Sequence, residues 1–214
     1  MAHVFLDLDG TLTDSRPGII RSFLHALEVL GIEAPDPGEL DWVIGPALVD
    51  SFARLGVEDV QVALRHYRAR YTDVGLFENE LYAGVEAALA ALRDAGHLLY
   101  LATAKPHAYA TRITEHFGLS RFMTHEFGPE LDGTRNDKSE LLAHALEVTG
   151  AEAGQSVMVG DRHHDMDAAR SVGMTAVAVR WGYGRPEEWS GAAAICDLMS
   201  DLPDVVARVL GEGR

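Results

Sequence analysis

From residue 82 onward, short apolar runs alternate with segments of helical periodicity. The clearest runs cover residues 97–103, 157–160 and 174–179, and another, residues 4–6, stands near the start of the sequence. Strands that alternate with helices along a chain form a parallel sheet with helices on both faces. We therefore predict an α/β fold of three layers.

A different pattern fills the stretch that follows the first apolar run. Its apolar residues recur at three- and four-residue spacing, which indicates helices, and no convincing strand pattern occurs before residue 80. We predict a helical domain over residues 15–80, inserted into an α/β core formed by residues 1–14 and 81–214. Its predicted helices cover residues 17–30, 47–55 and 58–71, with a short helix near 39–44.

Composition excludes several classes of partner. The 214 residues include 33 acidic and 18 basic side chains, a formal charge of −15, which repels the phosphate backbone of a nucleic acid polymer. A single cysteine, Cys196, precludes an internal disulfide. Neither a membrane-spanning run nor a signal peptide pattern is visible, so we expect a cytoplasmic monomer or homodimer that does not bind a membrane.

Two aspartates follow the first apolar run directly. Asp7 and Asp9 are two residues apart, so on an extended strand both carboxylates point to the same side. Gly10 allows close approach of the backbone to an anion, and Thr11 adds a hydroxyl. This arrangement at a strand end predicts a magnesium ion that holds a phosphate group.

Further polar residues follow the other predicted strands. Thr103 ends the run at residues 97–103, Asp161 directly follows the run at 157–160, and Lys138 lies at the start of a predicted helix over residues 137–148. Ligands of parallel α/β sheets bind beyond the carboxyl ends of the strands, so these side chains are expected to meet Asp7 and Asp9 there.

Taken together, these motifs resemble the four signature motifs of the haloacid dehalogenase-like hydrolases. The matching segments occur in the family's order and span essentially the whole chain: DLDGT at residues 7–11, Thr103 in LATAKP, Lys138 in NDKSELL, and Asp161 with Asp165 in VGDRHHD. The resemblance implies a Rossmann-like core, and the helical insertion is similar to the small helical cap of this family.

The resemblance also implies catalytic roles. Asp7 would be the nucleophile that forms an aspartyl-phosphate, and Asp9 the general acid and base. Thr103 and Lys138 would hold the transferred phosphoryl group. Members of the family that displace halide generally lack the second aspartate, so Asp9 favours phosphoryl transfer.

The ligands of Mg²⁺ implied by the resemblance are Asp7, the backbone carbonyl of Asp9, and Asp161. Asp165 is either an outer or occasional ligand or an acid that caps the start of a helix. The neighbouring His163 and His164 are a weaker match for a metal, because carboxylates favour magnesium.

Residues expected to bind the substrate come from several segments: Gly10, Thr11, Arg16, Gly45, Pro46, Thr103, Ala104 and Lys105. Lys105 either contacts the substrate or merely precedes a helix. Ala104 stands where relatives often carry Asn or Ser, so one side-chain contact is expected to be missing. Gly182 and Gly184 in WGYGRP are interpreted as turn glycines beside the site.

The function predicted from these residues is a Mg²⁺-dependent phosphatase that acts on a small phosphorylated metabolite. Within the family, the sequence is most similar to 5′-nucleotidase-like and phosphoglycolate phosphatase-like members, with the first favoured slightly. A phosphomutase of the β-phosphoglucomutase type shares every core residue and is the alternative. A non-catalytic binding protein is disfavoured, because Asp7, Asp9 and Lys138 are all present.

Overall fold

The computed structural model of the chain describes residues 1–44 and 48–211. Its strands are β1 (His3–Leu6), β2 (Thr13–Asp14), β3 (Glu80–Leu81), β4 (Leu98–Ala102), β5 (His125–Phe127), β6 (Ser156–Gly160), β7 (Thr175–Val179) and β8 (Ala194–Cys196). Six of them form one parallel sheet in the order β5-β4-β1-β6-β7-β8, and β2 pairs with β3.

Eight α-helices accompany these strands in the described ranges. They are α1 (Arg16–Val29), α2 (Leu48–Arg54), α3 (Val60–Asp73), α4 (Val85–Asp94), α5 (His107–His116), α6 (Lys138–Thr149), α7 (His163–Ser171) and α8 (Leu202–Val209). The predicted α/β class is therefore confirmed.

The central strand β1 shows why the sheet is buried on both faces. Val4, Phe5 and Leu6 are completely buried, and β4 and β6 flank them on either side. Phe5 packs into a core that includes Tyr100 of β4 and residues of α6 and α7. Helices α4 and α8 also contact strands of the sheet. The continuous apolar character of β1 follows from this double coverage.

The chain divides into two compact units. One consists of Met1–Thr13 and Leu81–Arg214, and the other of Asp14–Glu80. We call them the core unit and the helical unit. The helical unit begins one residue before the insertion predicted from the sequence and ends at the same residue.

Within the helical unit, close backbone packing joins α1 to the segment after α3. A Cβ atom on Gly18 would overlap the carbonyl oxygen of Gly75, so the glycine permits this approach. Phe23 and Phe52 stack with their ring centroids 4.4 Å apart. The short helix predicted near residues 39–44 is instead two 3₁₀ turns, Pro37–Glu39 and Asp41–Val43.

One predicted strand of the core is shorter than expected. The sequence at residues 121–127 also predicts a short strand, but Ser120–Phe122 forms a 3₁₀ turn and only His125–Phe127 joins the sheet. The turn is closed by hydrogen bonds such as that from Phe122 N to Leu119 O. Across the described ranges, no helix has both the length and the apolar character needed to cross a membrane.

Candidate active site

Asp7, Thr103 and Asp161 lie at the carboxyl ends of three adjacent strands, β1, β4 and β6. The backbone continues the sheet bonding at two of these positions. Asp7 N donates to Val159 O at 2.9 Å, and Thr103 N donates to Phe127 O at 3.1 Å. The sheet therefore fixes the backbone from which these polar side chains project.

Three carboxylates form a compact cluster at this edge, which we call the acid cluster. Asp7, Asp161 and Asp165 are all buried, and one oxygen of each lies within 4.8 Å of the others. Asp165 reaches the cluster from the first turn of α7, where its Oδ2 accepts from Arg162 N at 3.0 Å. Asp165 thus caps its helix, as one of the two sequence interpretations held, and faces the cluster as well.

Lys138 places a positive charge against the acid cluster. Its Nζ lies 3.1 Å from Asp7 Oδ1 and also contacts Asp165 Oδ1. Burial lowers the pKa of Lys138, but Asp165 and Asp7 more than offset that effect and raise it above the ordinary value. Lys138 is therefore held as a cation.

One lysine does not balance three carboxylates. Burial, with Asp165 and Asp7 nearby, raises the pKa of Asp161 to about 8. Burial also raises the pKa of Asp165 to about 6, an effect that Lys138 opposes and Asp7 reinforces. Asp161 Oδ1 is buried and has no hydrogen-bond partner among the residues described. A buried, all-oxygen donor set with excess negative charge is suited to a divalent metal ion.

The other oxygen of Asp161 is fixed by a loop that follows β7. Tyr183 N and Gly184 N donate to Asp161 Oδ2 at 2.7 and 3.1 Å, and Trp189 Nε1 donates to Asp161 O at 2.7 Å. The sequence interpretation missed Tyr183 and Trp189. The paired glycines of WGYGRP were the only signal that this loop lies at the site.

Gly182 and Gly184 allow the loop after β7 to lie close to the backbone of Gly10 and Asp161. A Cβ atom on Gly184 would overlap the carbonyl oxygen of Asp161, and one on Gly182 would overlap that of Gly10. Neither glycine has a positive φ, so they are close-packing glycines rather than the turn glycines expected. Gly10, in contrast, has φ +81°, and a Cβ atom there would lie 2.5 Å from Asp161 Oδ2.

Thr11 and Thr103 bring two hydroxyls to the same edge. Both are buried, and Thr11 Oγ1 has no hydrogen-bond partner within residues 1–44 and 48–211. Thr103 Oγ1 accepts from Lys105 N at 3.2 Å, which leaves its own proton available to donate. Ala104, between Thr103 and Lys105, is exposed.

Asp9 belongs to a second ion pair on the core unit. Lys105 Nζ lies 2.8 Å from Asp9 Oδ2, and only 6% of the lysine side chain is exposed. From the sequence, Lys105 is either a substrate contact or a residue that precedes a helix. It does precede α5, and its ammonium group lies on the second aspartate of DLDGT.

The remaining candidates lie elsewhere. Arg16 is in the helical unit, where its Nε donates to Asp41 Oδ1 at 2.5 Å and its Nη2 to Pro37 O at 2.9 Å. Gly45 and Pro46 lie outside the described residues. The ring of His163 contacts Glu188 Oε2 at 2.9 Å, so this histidine is not part of the acid cluster.

The chain belongs to the haloacid dehalogenase-like hydrolases, because the model of that family matches residues 4–179. A 5′-nucleotidase from Pseudomonas aeruginosa is 42% identical over 189 residues, which cover 87% of this chain and 86% of the relative. A plasmid-encoded phosphoglycolate phosphatase from Cupriavidus necator is 33% identical over 94% of this chain and 90% of its own length.

The crystal structure of a predicted phosphatase from Clostridium acetobutylicum superposes with a TM-score of 0.90 at 33% identity, covering 97% of this chain and 98% of that one. Tyrosine-protein kinase PtkA from Mycobacterium tuberculosis is 41% identical over 86% of this chain, but the chain spans only 64% of that kinase's length. The family match and these relatives together confirm the predicted class, a phosphatase of the haloacid dehalogenase-like family.

Proposed function

We propose that the chain is a Mg²⁺-dependent phosphatase that hydrolyses small phosphomonoesters through an aspartyl-phosphate on Asp7. The observation that carries the proposal is the contact of Lys138 with Asp7 beside Asp161 and Asp165. This contact supports the proposal, because phosphoryl transfer requires a nucleophile, a fixed cation and metal-ligating oxygens close together.

Asp7, the backbone carbonyl of Asp9, and Asp161 would hold the ion. The unpaired Oδ1 of Asp161 and the raised pKa values of Asp161 and Asp165 support a cation there. When bound, Mg²⁺ supplies positive charge that lowers the repulsion between a carboxylate and a phosphate. Asp165 contributes by holding Lys138 in place rather than as a first choice of ligand.

In the first step, a carboxylate oxygen of Asp7 forms a bond to phosphorus as the bond to the leaving oxygen breaks, and Asp9 gives that oxygen a proton. In the second step, Asp9 takes a proton from water, the water oxygen attacks phosphorus, and the bond to Asp7 breaks to release phosphate. Lys138 and the Thr103 hydroxyl hold the phosphoryl oxygens throughout.

For the substrate, we propose a nucleoside 5′-monophosphate, with phosphoglycolate as the alternative. The support is the similarity to the two relatives named for these activities, of which the 5′-nucleotidase shares more identical residues. The helical unit Asp14–Glu80 is proposed to act as the cap, and Arg16 and Gly45 remain candidate specificity residues on it.

Phosphate release from a panel of nucleoside monophosphates, phosphoglycolate and sugar phosphates, with Mg²⁺ present, tests the proposal. We expect a clear preference for nucleoside monophosphates and no release by an Asp7→Asn variant.

Turnover that requires an added sugar bisphosphate would instead indicate a phosphomutase. Transfer from ATP to a tyrosine peptide, without phosphate release from monoesters, would contradict a hydrolase. Location in the cytoplasm and assembly as a monomer or homodimer stay predictions.

A further inference from the structure

The lysines of this chain are unusually few and unusually placed. Only two of the 18 basic residues are lysines, Lys105 and Lys138, and the others are arginines. Both lysines are buried, whereas every arginine within residues 1–44 and 48–211 is half-buried or exposed. Each lysine also contacts one aspartate of the DLDGT motif, Lys105 with Asp9 and Lys138 with Asp7.

Lysine and arginine carry their charge in different forms. A guanidinium group is a broad, planar fork, whereas an ammonium group is a compact and strongly hydrated point charge. Burying such a charge is unfavourable unless it is paired. Lys105 is therefore not one of many interchangeable surface cations, and its partner Asp9 is the reason for its place.

The backbone that carries Lys105 is anchored on both sides. Lys105 N donates to Thr103 Oγ1 at 3.2 Å, and His107 N donates to Pro129 O at 2.8 Å. Gly128 directly follows β5, and a Cβ atom there would lie 2.6 Å from Lys105 O, so glycine allows this segment to pack tightly against the backbone of Lys105. The ammonium group is thus presented from a rigid segment at the end of β4.

The two oxygens of Asp9 differ in their surroundings. Oδ2 is 2.8 Å from Lys105 Nζ, while Oδ1 is buried and has no hydrogen-bond partner in the part of the chain that the structure describes. An ion pair to one oxygen fixes the rotation of the carboxylate and so determines where the other oxygen lies. A group that exchanges a proton with a substrate requires an oxygen placed in this way.

We propose that Lys105 is the positioning residue of Asp9: it binds Oδ2 so that Oδ1 is held ready to exchange a proton with the leaving group and with water. This inference rests on the proposed function, in which Asp9 is the general acid and base. The two lysines then have different roles. Lys138 contacts the nucleophile Asp7 and holds the phosphoryl group, and Lys105 positions the general acid and base Asp9.

Two substrates distinguish this role from others. An alkyl phosphate such as a nucleoside 5′-monophosphate needs a proton on its leaving oxygen, whereas p-nitrophenyl phosphate releases a stable phenolate and needs little help. We therefore expect Lys105→Met to lower kcat for the alkyl phosphate by about 10²-fold, within the range that general acid catalysis contributes. For p-nitrophenyl phosphate, the rate of Asp7 phosphorylation should be nearly unchanged. The burst of phenolate measures this rate.

The matched variants are Asp9→Asn and the double variant Asp9→Asn/Lys105→Met. Asp9→Asn should show the same contrast between substrates, and the double variant should be no slower than Asp9→Asn alone, because both changes act on one group. Arg93→Met removes an exposed basic residue that bonds to Arg121 O and serves as the control with unchanged kinetics.

Three results would overturn the inference. A raised KM with unchanged kcat would make Lys105 a substrate ligand. An equal loss of the rate of Asp7 phosphorylation on both substrates would indicate a structural role, as would a double variant that is slower than Asp9→Asn on the phenolate burst. Failure of the wild-type chain to release phosphate from either substrate would refute the proposed function instead, which keeps the two failures distinguishable.

Discussion

The two units of the chain handle clustered charge in opposite ways. In the helical unit, Glu78 accepts two hydrogen bonds from Arg70, at 2.7 and 3.1 Å, and one from Arg21 at 3.0 Å. In the core unit, Asp7, Asp161 and Asp165 lie together, and Lys138 contacts Asp7 and Asp165. The first cluster has more positive than negative charge, and the second has the reverse.

The pKa values follow this difference. The hydrogen bonds from Arg70, opposed by burial and supported by Arg21, lower the pKa of Glu78. Burial and neighbouring carboxylates raise the pKa of Asp161 to about 8. The charge on Glu78 is therefore fully paired, whereas the acid cluster has more carboxylates than Lys138 neutralises and could hold a metal ion. A buried cluster with too little positive charge for its carboxylates is a candidate functional site, whereas a cluster with paired charges is not.

The largest expected difference between the clusters is in turnover. Asp7→Asn should lower kcat by at least about 10⁴-fold, because it removes the proposed covalent nucleophile. Glu78→Gln, the matched carboxylate-to-amide change in the helical unit, should leave kcat within about threefold. Phosphate release by both variants, with circular dichroism to verify folding, measures the contrast. Normal turnover by Asp7→Asn would refute its assignment as nucleophile.

Metal removal should also affect only one cluster. We expect EDTA to abolish turnover and Mg²⁺ to restore it, and saturating Mg²⁺ to stabilise the protein by about 2.7 kcal/mol at 100 times Kd. For a chain of this size, that corresponds to a rise in Tm of about 5–10 °C. Asp161→Asn should lose most of this rise, whereas Glu78→Gln should keep it. An equal rise in both variants would place the ion elsewhere.

A smaller effect is expected from the loop that holds Asp161. Gly184→Ala should destabilise the chain by about 1–3 kcal/mol, because its methyl group would displace the backbone of Asp161. Gly154→Ala is the matched control, since a Cβ atom there has nothing within 4 Å and the glycine has no positive φ. Urea unfolding measures both. Equal stability of the two variants would show that the loop relaxes freely around Asp161.

Strand ends were predictable from the sequence because buried parallel strands are continuous apolar runs. The runs at residues 4–6, 97–103 and 157–160 predict that Asp7, Thr103 and Asp161 lie at one edge of the sheet, where the structure has them. The WGYGRP loop was harder to interpret, since two glycines close together in a short segment with a proline are typical of any turn. Only the packing of Gly182 on Gly10 and of Gly184 on Asp161 gives them their role.

Ion pairs between distant residues were the least predictable feature. Lys105 and Asp9 are separated by a whole inserted unit, and nothing in LATAKP indicates which carboxylate its lysine meets. The Glu78 network was equally hidden, because arginines on a helix such as α3 are most often on a solvated face. Such contacts depend on tertiary packing and not on local pattern.

The smallest predicted effect is the pH dependence that the Glu78 network confers. The ordinary pKa of this glutamate is 4.5 and the folded value is lower, so its contribution to stability is complete above pH 4.5 and is lost as pH falls through the folded pKa. We expect Glu78→Gln to cost about 1–2 kcal/mol at neutral pH, typical of a hydrogen-bonded ion pair, and the cost to vanish in acid. Urea unfolding at neutral pH and near pH 3 measures it. A cost that is constant with pH would mean that packing, rather than the charge on Glu78, stabilises the helical unit.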